Sequence, residues 1–300
     1  MGIHRHFFQA MASRCEIRLE AADGSAAQAL AQCATDEVRR IEAKYSRYQV
    51  GSVVSCINAQ AGREWMTCDF ETLALLDFAD TLYDTSGGLF DITSGVLRHA
   101  WNFRQAQLPT PETLQGLCQL VDWRSVQRVG RCVRLPKVGM ELDFGGFGKE
   151  YAADRAAAVL LGQGVTHGYV NLGGDIRVLG PQPQGLPWVI GIQHPRDSNR
   201  LIASIALSSG ALATSGDYER FFELDGRRYC HILHPRSGWP VDHWRSVSVQ
   251  AGSALQAGSL ATVAMLSGAQ ALPFLAQEKV SYLAVDQHGQ LHHKESTDGQ

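Results

Sequence analysis

Asp143-Phe144-Gly145-Gly146-Phe147-Gly148-Lys149-Glu150-Tyr151 reads as the end of a strand, a turn on two glycines and the start of a helix. The alanine-rich pattern over residues 148–161 continues that helix. Two apolar strands follow, 167–172 and 175–179, divided by Gly173-Gly174. Upstream, residues 7–20 alternate as one strand, with Cys15, Ile17 and Leu19 on one face. Residues 25–44 have the helical period with Ser25 as N-cap, and 67–83 form a second amphipathic helix ended by Gly87-Gly88. Residues 102–120 are a surface connection with a short helix, and 129–142 are short strands. Downstream, strands are expected over 188–193, 201–207, 246–251 and 280–285, and a helix over 255–266. Asp225-Gly226 sits between apolar runs at 218–224 and 227–233, the pattern of a hairpin with a type I′ turn. Residues 292–300 read as a polar tail. Helices gather early and strands late, which argues an α+β fold and not a doubly wound sheet. No Pro-, Gly- or Ser-rich linker interrupts the chain, so residues 1–300 are expected to form one compact unit with two lobes.

The 300 residues are 45% hydrophobic and 19% charged, a composition that excludes a disordered chain. A formal charge of −3 gives no basic field for nucleic acid. Seven cysteines, an odd number with no C-x-x-C, argue against a disulfide framework or a structural zinc site. The N-terminus lacks the apolar core of a signal peptide, and Arg14 before Cys15 does not suit a lipoprotein cleavage site. No apolar run approaches the ~18 residues of a membrane span. A cytoplasmic location is the expectation.

Several short motifs carry candidate chemistry. At the start of the helix after Gly145-Gly146, backbone N–H groups can hold an anion, but the spacing of neither a P-loop nor a dinucleotide fingerprint is present. A tight turn capped by Asp143 explains the same residues. Gly87-Gly88 followed by Asp91 and Thr93 suits a helix stop and a new cap. Asn171-Leu172-Gly173-Gly174-Asp175 suits a turn or a loop exposed to a ligand. His231 is a candidate general base, since imidazole titrates near neutral pH. His234, three residues on, falls on the opposite side of an extended strand, against a shared metal. No serine-hydrolase triad can be assembled around Thr214-Ser215-Gly216.

In this order the motifs resemble the FAD:protein FMN transferase (ApbE) family over residues 11–268. The blocks are Tyr45-Ser46-Arg47-Tyr48 with Ser52 and Asn58, Gly88-Leu89-Phe90-Asp91, and Asp143-Phe144-Gly145-Gly146 with Lys149, Tyr151 and Asp154. Further on stand Asn171 to Asp175, Thr214 to Glu219, Tyr229-Cys230-His231-Ile232, Pro235-Arg236-Ser237-Gly238 and Thr262. The resemblance implies an α+β fold with FAD in a cleft. It implies Mg²⁺-dependent transfer of FMN from FAD to a Thr or Ser hydroxyl of a target flavoprotein, with AMP released. By position it implies that Met11, Tyr48, Leu89, Phe90, Asp91, Asp143, Lys149 and His231 line the FAD site, with His231 as base. The metal would be held by the backbone carbonyl near Gly146 and by Thr262.

The chain also departs from the family pattern. Gly258 stands where a metal-binding Asp is expected, one helical turn before Thr262. His234 replaces an Asp before Pro235, and Glu150 stands where a small residue is usual. Asp175, Asp217 and Glu150 are the candidate replacement carboxylates. Loss of the Asp leaves two alternatives to the transferase, a non-catalytic flavin binder or carrier and an FAD diphosphatase giving FMN and AMP. On helix propensity alone, Gly258→Asp is expected to cost the fold little.

Overall fold

A computed structural model describes residues 1–295 of the chain. It opens with strands β1 (Gly2–Ala10) and β2 (Ser13–Ala21), then helices α1 (Gly24–Tyr45) and α2 (Val53–Ala59), strand β3 (Met66–Thr67) and helix α3 (Phe70–Thr85). A 3-10 segment, Ile92–Ala100, leads to α4 (Pro111–Cys118), β4 (Gln127–Val129) and β5 (Cys132–Arg134). Helix α5 (Gly148–Gly162) precedes β6 (Gly168–Leu172), β7 (Asp175–Gly180), β8 (Trp188–His194), β9 (Asp197–Leu207) and β10 (Ala211–Gly216). The rest comprises β11 (Phe221–Leu224), β12 (Arg227–Cys230), β13 (Trp244–Ala251), α6 (Ala254–Leu266), α7 (Ala271–Gln277), β14 (Ser281–Asp286) and β15 (Leu291–Lys294).

Eight strands form one sheet in the order β1-β2-β6-β7-β10-β13-β14-β15, and every neighbouring pair is antiparallel. The α+β expectation holds. Side chains alternate along each strand, so Cys15, Ile17 and Leu19 point together into the main core with Ala31, Val38 and Ile41 of α1 and Ala153, Ala156 and Leu160 of α5. Ser215 and Val247 face α6 in the same way, and Val247 packs with Leu260, Ala261 and Ala264. The ribbon β8–β9 covers part of the other face, where Trp188, Ile192 and Leu207 meet Tyr169, Ile176, Val178 and Leu212.

Four expectations need correction. The strand expected up to residue 142 ends with β5 (Cys132–Arg134), so residues 135–142 are not strand and Asp143 ends none. Residues 7–20 are not one strand; Met11 and Ala12, at φ 51 and 56, form a tight turn between β1 and β2. Neither is Gly or Asn, so the turn carries no compositional mark. The N-cap of α1 is Asp23, whose Oδ1 accepts from the Ala26 N–H at 2.9 Å, and not Ser25. The polar tail begins with strand β15 on the sheet edge, while residues 296–300 lie outside the described residues. The Asp225-Gly226 hairpin is present, with both φ values positive (51 and 75) as a type I′ turn requires. All seven cysteines are free. Among the described residues no helix is long and apolar enough to cross a membrane.

Candidate active site

The turn before α5 is anchored by aromatic rings. Phe147 is fully buried, 5.0 Å from Phe144, 5.7 Å from Phe78 and 6.1 Å from Phe90 between ring centroids. Such pairs add about 0.5–1.5 kcal/mol each beyond area burial. Gly146 lies so close to the Phe90 ring that a Cβ there would meet it at 2.9 Å. Asp143 accepts from the Gly145 N–H at 2.9 Å and is ion-paired with Arg47. Gly95 makes room for it, since a Cβ at 95 would fall 2.4 Å from that of Asp143. Asp143 therefore shapes the turn, but the side-chain cap expected of it at α5 is absent: Phe147 is the N-cap and makes no side-chain cap bond.

Lys149 reaches from the first turn of α5 to Asp175 at the start of β7, Nζ to Oδ2 2.8 Å. Asp175 follows the Gly173-Gly174 turn, which is closed by the Asn171 Oδ1 accepting from the Gly174 N–H at 2.8 Å. The β1–β2 turn bearing Met11 packs beside it: a Cβ at Gly173 would lie 2.8 Å from Ser13 and 3.7 Å from Lys149 Nζ. The Met11 N–H is held by Glu42 Oε1 at 2.7 Å. Burial opposes the charge on Lys149, but Asp175, Glu150 and Glu219 outweigh it and raise its pKa, so the ammonium is a fixed cation. Burial pushes the Asp175 and Glu150 carboxyls up, against the pull of Lys149.

A second wall is built from Tyr48, Arg47, Arg220 and His231. Tyr48 is exposed, its ring centroid 5.0 Å from the Arg47 guanidinium, and its hydroxyl accepts from Arg47 Nη2 at 2.9 Å. Burial would raise the phenol, but Arg47 and Arg220 lower it on balance. The His231 N–H bonds the Arg220 carbonyl at 2.9 Å. The His231 side chain is exposed, just past the end of β12. Desolvation, then Arg220, and more weakly Lys149 lower its pKa to about 4. It is thus neutral at pH 7 and able to accept a proton.

Not every residue expected in the site turns toward it. Asp91 is buried and caps the 3-10 segment: Oδ1 accepts from the Thr93 N–H (2.7 Å) and hydroxyl (2.6 Å), and Oδ2 from the Trp123 N–H (3.2 Å). Phe90 is buried behind Gly146, and Leu89 is half-buried beside it. Arg47 entered the sequence only as part of a motif and Arg220 not at all; both lie in loops with no local signal of a partner.

The face of α6 toward α5 and β10 completes the arrangement. The Thr262 and Ser215 hydroxyls are 2.9 Å apart, so Thr262 is not merely bonded back to its own helix. Asp154 of α5 accepts from the N–H groups of Ala254 (2.9 Å) and Leu255 (2.8 Å), fixing the start of α6 against α5. At Gly258 a Cβ would lie 2.5 Å from Glu150 Cγ and Oε1. Helix propensity alone therefore leaves out a steric term: with Glu150 in this conformation its side chain stands in that space and would have to shift to admit Gly258→Asp. Glu150 is 7% exposed and its Oε2 has no hydrogen-bond partner. Among the described residues no three His, Cys, Asp or Glu side chains converge as a ready metal site.

The model of the ApbE family matches residues 11–284. The chain is 34% identical over 239 residues to the FAD:protein FMN transferase of Treponema pallidum, a match spanning 72% of this chain and 65% of that relative. It is 33% identical over 221 residues to the FAD:protein FMN transferase of Klebsiella pneumoniae, across 72% of this chain and 68% of that one. The crystal structure of the ApbE protein of Thermotoga maritima superposes with a TM-score of 0.91 at 31% identity, covering 98% of this chain and 97% of that one. The apo flavinyl transferase ApbE of Pseudomonas stutzeri superposes at 0.87 with 27% identity, covering 99% and 96%.

Proposed function

The chain belongs to the ApbE family, and from that membership we propose that it is an FAD:protein FMN transferase, moving FMN from FAD to a Thr or Ser hydroxyl of a target flavoprotein. In that reaction the acceptor oxygen bonds to the FMN phosphorus, the bridging P–O bond breaks, and AMP leaves with the electron pair. Little covalent work falls to the protein; it must neutralise the diphosphate, align the hydroxyl and take its proton. The observation that carries the reading is a fixed cation, Lys149, beside the uncapped start of α5 and within electrostatic reach of neutral His231. Lys149 and the N–H groups of the first turn of α5 would hold the diphosphate. His231 would accept the acceptor proton. Tyr48, Met11 and Leu89 would border the flavin or adenine, and Asp143 would keep Arg47 and the glycine turn in place.

The family also implies Mg²⁺. The residues here fit a hard cation that takes one or two carboxylates and completes its shell with substrate phosphate. A buried carboxylate oxygen with no hydrogen-bond partner, Glu150 Oε2, belongs to a side chain that lies against Gly258, one helical turn from Thr262. The Gly146 carbonyl and the Thr262 hydroxyl are the other donors proposed. When bound, Mg²⁺ would offset charge on the leaving phosphate.

Incubating the protein with FAD, Mg²⁺ and a flavoprotein acceptor domain tests the proposal. Covalently fluorescent acceptor plus AMP is the expected result. Free FMN plus AMP with unlabelled acceptor would make it a diphosphatase, and unchanged FAD a binder.

A further inference from the structure

We infer that the metal carboxylate of this chain has moved from α6 to α5, with Glu150 entering the site through the space that the absent side chain of Gly258 leaves. The inference rests on the transferase reading for the identity of the site, but its geometry is this chain's own. Glu150 Cγ and Oε1 lie 2.5 Å, and Cδ 2.8 Å, from where a Cβ at 258 would stand. With Glu150 in this conformation, a side chain at 258 would collide with it. The Glu150 side chain thus occupies the space into which a side chain on residue 258 would first project.

Position 258 is one helical turn before Thr262, so the two share a face of α6. Glu150 is nine-tenths buried, and its Oε2 has no partner. A buried polar atom left unpaired is costly, and native proteins seldom tolerate one without a use. The nearest cation, Lys149, donates instead to Asp175. An oxygen-preferring divalent cation, shared with the Thr262 hydroxyl, would satisfy the orphaned oxygen.

Mn²⁺ is the probe, because free Mn²⁺ can be counted by electron paramagnetic resonance without turnover. Titrations on FAD-saturated protein would compare wild type, Glu150→Gln and the double exchange Glu150→Gly with Gly258→Asp. FAD affinity would be measured separately in EDTA. The expected result is at least a tenfold loss of Mn²⁺ affinity in Glu150→Gln, with FAD affinity in EDTA held within about threefold, and recovery in the exchange. Wild-type Mn²⁺ affinity in Glu150→Gln would overturn the inference and make Glu150 a filler; so would wild type binding no Mn²⁺. If the exchange does not fold, Glu150→Gln alone still decides. Mn²⁺ bound through Glu150 with no acceptor labelling would sink the transferase reading and leave the metal site standing.

Discussion

Both carboxylate oxygens of Asp91 are used inside the protein, on Thr93 and Trp123. The same residue was legible as a cap or as a flavin contact, and its burial favours the cap. Asp91→Ala should then lower unfolding stability by about 2–3 kcal/mol in a urea titration, the sum of a lost cap and stranded buried donors. FAD binding by the folded fraction should be little changed. His231 behaves differently because its side chain is exposed. Its pKa is lowered to about 4, so the acid limb of kcat/KM should lie near pH 4 and not near the ordinary 6.5 of histidine. The sign for stability is the same: an unfolded chain takes up the proton near 6.5, so the contribution is intact above that pH and is lost as pH falls toward 4. His231→Gln should reduce kcat by about 10²-fold or more with a much smaller change in FAD affinity; equal losses in both would make it a binding residue only.

At the scale of elements, short-range signals were readable where one residue closes a turn or cap by itself. Asp91 and Asp225-Gly226 are such cases. The β1–β2 turn was not readable, because Met11 and Ala12 are held at positive φ by the sheet pairing around them. The ribbon β8–β9 is fastened by a contact of the same non-local kind. Arg196, between its strands, donates to both oxygens of buried Asp217 at 2.6 Å, just past the end of β10. Arg228 is Asp217's other cationic neighbour, at 3.6 Å. Arg196→Met should destabilise by about 2–4 kcal/mol, since it leaves a buried carboxylate under-compensated. Thermal denaturation of the single variant and of Arg196→Met with Asp217→Asn checks it: the second change should recover part of the loss.

At the scale of the molecule, one antiparallel sheet carries the site. Its central strands β6, β7, β10 and β13 are paired on both sides and covered by helices on one face. The β11–β12 hairpin pairs only with itself. Amide hydrogen exchange should show the slowest protons in the central strands, near the global unfolding limit, and faster exchange at Phe221–Leu224. The reverse order would mean that the hairpin belongs to the cooperative core.

Alternation, helical period and turn dipeptides are local, and they determined the fold class and most elements from the amino-acid order alone; the family was legible through the resemblance of its ordered motifs. The same order placed an acid at 150 and a glycine at 258, two separate departures more than a hundred residues apart. The sequence offered Glu150, Asp175 and Asp217 alike as replacements; only the packing of α5 on α6 singled out Glu150, because whether two side chains compete for a volume depends on distances that no sequence period encodes. It also decided that Gly258→Asp meets Glu150 and not empty space, and that Asp91 is buried while His231 is exposed. A side chain's chemistry is carried by its residue type; its partner, its solvent and the space left to it are set by the fold.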